Sequence, residues 1–190
     1  MADNQSTTRF DNLAKAIGII GALISAVVLI VSLRQNTNQR ASELRWNQAK
    51  LAVELQDDML INDPQSFDAL RMTDWSAFNF IIDGKTVTVT RQEAKQALDP
   101  ANNSSLPPNG VFVRERFDRL FYRMGRIERA LESDLIEFDD VCSPMDYYVP
   151  FLRSTFGGAL DDYMRQLHDE DARRFMNRFN DKRNCSRQPS

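Results

Sequence analysis

Arg116, Arg119, Arg123 and Arg126 recur at steps of three and four, so that on one helix they line a single side. Each guanidinium offers a planar fork of donors, and such a line can take phosphate, an anionic nucleotide, lipid head groups or an acidic protein. The competing reading is a solvated face with local ion pairs, and Glu115, four residues before Arg119, is placed to make one. His168 is the only histidine and lies beside Asp169, Glu170 and Asp171, with Asp161 and Asp162 one to two turns away. That spacing fits no metal-ligand motif and reads as a solvated acidic surface. Asp139, Asp140 and Asp146 stand near Tyr147 and Tyr148, but helix capping explains Asp146 without chemistry. No Gly-rich phosphate loop, nucleophile elbow or Cys/His cluster occurs, so no catalytic, cofactor-binding or metal-ligating set is expected and the reading is non-enzymatic.

Cys142 and Cys185 are too few for a disulfide framework. Cys185 lies in a polar tail without apolar neighbours; a bridge between the two stays open, and nothing in the spacing points to it. Cys142 has no base near it in sequence and reads as an inert thiol. A formal charge of -3 over 190 residues gives no basic field that would favour nucleic acid.

The elements that must carry these residues begin with a long apolar run. Ala16 to Leu33 contains no charged residue between Lys15 and Arg34, enough for one helix to cross a bilayer. Its polar residues are Ser25 and Ser32, too few for the polar stripe of a buried core helix, and no small-residue cleavage site follows it. The expected organisation is a tail over 1–13, a transmembrane helix over 14–34, a stalk helix over 35–62, a helical soluble domain over 63–180 and a disordered tail over 181–190. Gly18, Ala22 and Ala26 form a small-residue strip on which two such helices could approach closely, giving a homo-oligomer. Arg9 and Lys15 precede the span and Arg34, Arg40 and Arg45 follow it, a small excess that favours a cytoplasmic C-terminal domain.

In the stalk, Ala41, Leu44, Leu51, Ala52, Leu55 and Met59 share one side, interrupted by Gln48. A helix from near Leu13 to Asn62 would be about 75 Å long. Its apolar side packs either on the chain's own domain or on neighbouring copies, and the weak seam favours the first. Asn62-Asp63-Pro64 ends it, and a short helix follows over 66–72. Within 77–90, Asp83-Gly84 predicts a two-residue hairpin turn pairing Ile82 with Lys85, Phe80 with Val87 and Phe78 with Val89. Thr90 and Glu93 predict a capping box opening a helix to Leu98. Residues 99–110 read as an exposed loop. The strongest amphipathic pattern, Phe117, Leu120, Phe121, Met124, Ile127 and Leu131, places a helix over 111–133 at the centre of the core, with a break at Asp134. Ser143-Pro144 marks a further helix start, Pro150 should kink or end that helix, and Gly157-Gly158 interrupts before a last amphipathic stretch to Phe179.

FDRLFYRMGRIERALESDLIEFDDVCSPMDYYVPFL resembles a group of small bacterial proteins with one N-terminal span and a helical cytoplasmic domain. The likeness rests on the aromatic-rich helix, the LIEFDD connection and an aromatic helix ending at proline, covers about half the chain and implies architecture without assigning catalytic residues. By contrast, the Arg165 to His168 spacing misses the arginine and histidine pattern of ribonucleases of the higher-eukaryote-and-prokaryote nucleotide-binding type. The chain is therefore expected to be a mostly α, single-pass inner-membrane protein with one β-hairpin, partnered by the bilayer, by copies of itself and by an acidic protein or anionic ligand. The expected role is an interaction or sensor module serving a cytoplasmic partner. The alternative is a membrane effector that oligomerises and perturbs the bilayer, for example in antiphage defence, with Ser25 and Ser32 as its available polar lining.

Overall fold

The computed structural model describes residues 4–82, 84–180 and 185, with side chains described from residue 28 onward except at 30. Seven α-helices and one hairpin occur among them: α1 (Asn4–Leu60), α2 (Pro64–Asp74), β1 (Ala77–Ile82), β2 (Lys85–Thr90), α3 (Arg91–Ala97), α4 (Pro108–Glu132), α5 (Phe138–Phe156), α6 (Gly158–Gln166) and α7 (Glu170–Arg178). The chain divides into two compact units, Met1–Asn47 and Gln48–Ser190. Among the described residues no helix is long and apolar enough to cross a membrane. Most of the expected span, and with it Gly18, Ala22 and Ala26, lies outside the residues whose side chains are described.

In the second unit α4 is the central element, packed by α2, α3 and α7. Phe117, Leu120, Met124 and Ile127 are fully buried, and Phe117 meets Phe156 of α5 edge-on at 5.1 Å between ring centroids. Ala52, Leu55 and Met59 of α1 join this core, whereas Leu44 is 65% exposed. Gln48, which interrupts the apolar side of α1 in sequence, donates to the Asp134 carbonyl at 2.9 Å. Gln56 does the same for the Ser143 carbonyl at 2.7 Å. The two amides thus tie α1 to the backbone at the break after α4 and at the break inside α5.

The hairpin pairs Ile82 with Lys85, Phe80 with Val87 and Phe78 with Val89. Phe80 and Val89 are buried while Ile81 on the other face is exposed. Gly84, at φ 75°, supplies the left-handed conformation the turn needs. Thr90 and Glu93 close the capping box of α3. Asp134, at φ 54°, follows the end of α4.

The proline expectation for α5 is corrected at one position. The helix continues through Pro150 to Phe156 and is broken instead at Ser143 and Pro144, where Ser143 is extended (φ -90°, ψ 132°). Burial of Met145, Val149, Leu152 and Phe156 on one face holds the segment helical across Pro150, outweighing one lost backbone bond. Gly157 (φ 58°) then separates α5 from α6.

Candidate functional site

The arginine line lies along α4, facing the end of α1 and the start of α2. Leu60 is the last residue of α1, and Asp63 caps α2 by accepting from the Gln65 amide through Oδ1. Its other oxygen, Oδ2, accepts from Nε of both Arg119 and Arg123, the second at 2.9 Å. Asp58, on the last turn of α1, accepts from Arg123 Nη1 at 3.1 Å and Arg126 Nη1 at 3.0 Å. Arg116 lies 3.1 Å from Glu115 and 3.9 Å from Asp68, with its guanidinium 3.9 Å above the Phe112 ring. The structure therefore brings all four arginines to one face and sets Asp58, Asp63, Asp68 and Glu115 among them.

These pairs differ in burial. Asp63 is 5% exposed and Arg123 13%, whereas the side chains of Arg119 and Arg126 keep 43% and 36% of their surface. Burial works to raise the Asp63 carboxyl, but the hydrogen bonds and charges of Arg123 and Arg119 hold it below the ordinary carboxylate range. Asp58 is lowered in the same way, its burial overcome by Arg126, Asn62 and Arg123. Asp68 behaves oppositely, since burial outweighs the nearby Arg71 and Arg116 and raises it. A 290 Å³ cavity beside Arg126 is lined by Leu51, Glu54, Leu55, Asp57, Asp58 and Asn62. Beside Arg119 a more open 500 Å³ cleft is lined by Gln65, Glu115, Asp118 and Tyr122.

The remaining sequence candidates fall elsewhere. His168 sits exposed at φ 59° in the turn between α6 and α7, and among the described residues no group of three or more His, Cys, Asp or Glu side chains is arranged to hold a metal ion. Asp169 is raised by burial and by the charges of Asp118 and Asp171. Asp118 is raised by burial against a 2.8 Å hydrogen bond from the Tyr163 hydroxyl. Tyr147 donates to Asp74 at 3.3 Å and packs its ring on Tyr148 and Phe151, so the acid that meets it comes from α2.

Three features escape sequence reasoning. Asp58 and Asp63 are 56 to 68 residues from their arginines, and no local pattern joins them. Glu128, 1% exposed, accepts from Arg178 Nε and Nη2 at 2.7 and 2.8 Å. Its signal was present, because Glu128 occupies a place on the apolar stripe four residues after Met124. Cys142 and Cys185, finally, form a disulfide with their Cα atoms 5.6 Å apart.

No protein-family profile, curated protein or solved structure matches the chain.

Proposed function

We propose that this chain is a single-pass bacterial inner-membrane protein whose second unit is an interaction module, self-associating through Gly18, Ala22 and Ala26 and offering the α4 arginine face to an acidic partner. The uncharged, largely apolar sequence from Ala16 to Leu33 supports the anchor, because no charged group there would have to be desolvated in hydrocarbon. The observation that carries the partner face is the unequal burial of its cations. Arg123 is committed to Asp63 and Asp58 inside the fold, while Arg119 and Arg126 each donate to one carboxylate and retain exposed surface for a second anion.

Alkaline carbonate extraction of membranes tests the anchor, which predicts retention in the pellet; release into the wash overturns it. In mild detergent, Gly18→Leu with Ala22→Leu should lower the oligomer mass, and an unchanged mass removes the self-association strip. Polyglutamate serves as the probe of the arginine face. Its binding should fall at least tenfold in Arg119→Gln with Arg126→Gln, and equal binding by both proteins, with matched melting curves, rejects that surface.

A further inference from the structure

Cys142 and Cys185 are 43 residues apart in sequence and meet in the fold as a disulfide. Cys142 is 8% exposed near the start of α5. Phe138, on the turn before it, packs its ring at a tilt against Phe179 with centroids 5.0 Å apart. Arg153, farther along α5, donates to the Asn177 side chain at 2.6 Å and to that of Asn180. The chain is thus held against α5 up to Asn180, and Cys185 packs on the same core. A Cα separation of 5.6 Å lies in the range a disulfide spans. Thiols placed this way oxidise and stay bridged in an extracytoplasmic compartment, whereas the cytoplasmic thiol pool returns such a pair to its reduced form.

We infer that the helical domain folds and binds its partner on the oxidising, extracytoplasmic side of the membrane, fastened by the Cys142–Cys185 bridge. The amino-terminal tail is then cytoplasmic, and the arginine face meets an acidic partner in the envelope. This orientation is opposite to the one favoured by the Lys and Arg count, but that count is two against three, a bias of one charge. The inference rests on reading Ala16 to Leu33 as a span, and the bridge supplies what the charges leave undecided. Oxidation removes two electrons and two protons from the thiol pair as the S–S bond forms, and passes them to the thiol-oxidising machinery of that compartment, a protein disulfide acceptor.

The full chain in intact bacteria tests this at low expression. Cells are quenched in acid, free thiols are blocked with N-ethylmaleimide, and the protein is then reduced and labelled with a mass-adding maleimide. Two mass additions that appear only after reduction, together with digestion of the domain by protease added to spheroplasts, are the expected result. Two free thiols in the cell, or a domain protected from that protease until the inner membrane is opened, overturn the inference. Cys142→Ser and Cys185→Ser, each leaving a lone thiol that N-ethylmaleimide caps in the first step, should show no mass addition after reduction, which assigns the doubly labelled band to this bridge. Carbonate extraction of the same cells is read separately: a chain retained in membranes with reduced thiols sinks the orientation and leaves the anchor standing. Release from membranes sinks both.

Discussion

Glu128 lies 1% exposed on the central helix, and its charge is answered by the two parallel hydrogen bonds from Arg178. Arg178→Ala would leave a carboxylate in a nearly dry site, and removal of one partner of such a pair costs about 3 kcal/mol. Chemical denaturation should register that loss, and Glu128→Gln combined with Arg178→Ala should recover part of it, because an amide is cheaper to bury than a charge. The aspartates set a pH profile of two opposing limbs. Asp58 and Asp63 are lowered in the fold, so their contribution is complete above the ordinary carboxylate pKa and is lost as pH falls through their folded values, below about 4. Asp68, Asp118 and Asp169 are raised, so the folded state holds their protons more tightly and stability declines as pH rises through their folded values. Melting temperature against pH should therefore peak on the mildly acidic side and drop steeply below about pH 4. In Asp63→Asn the steep acid limb should become shallower.

The hairpin and α4 were legible because each carries its own periodicity. Alternation by two with Asp83-Gly84 between the strands sets the pairing of Phe80 with Val87, and the three-and-four spacing from Phe117 to Leu131 selects the buried side of α4. The Thr90 capping box was legible for the same local reason. Thr90→Ala removes the acceptor that the Glu93 amide uses at 3.2 Å and should lower stability by about 1 kcal/mol, read as a shifted denaturation midpoint with an unchanged helical spectrum. The course of α5 was not legible, since Pro150 is a breaker by local rules and only the burial of Val149, Leu152 and Phe156 against other helices overrides it. Likewise the arginines of α4 were visible as a line, but the carboxylates that meet them come from the end of α1 and the cap of α2, which no spacing on α4 reports.

In the unit Gln48–Ser190 as a whole, distant parts of the chain close on one core, and the bridge between Cys142 and Cys185 fastens two of them. Closing a loop of 43 residues restricts the unfolded chain and is worth about 4 kcal/mol in the chain-entropy account. Reduction should accordingly lower the melting temperature by about 10 °C for a unit of this size, and an unchanged transition in reductant would show that the bridge adds nothing to the fold. The pairing itself was illegible because two cysteines in sequence carry no geometry; it follows from how the segment before Asn180 lies along α5. The corner at Asp63 has a different kind of consequence. One of its oxygens caps α2 and the other receives two guanidinium groups, so asparagine would keep the cap and turn a donor toward two donors, while serine would keep the cap and lose the reach. A lineage that preserves this corner must carry an acid immediately before proline, with two arginines four residues apart about sixty residues later. That pattern is a heritable signature, and distant descendants of the fold should be traceable by its joint survival or joint loss after the rest of the sequence has drifted apart.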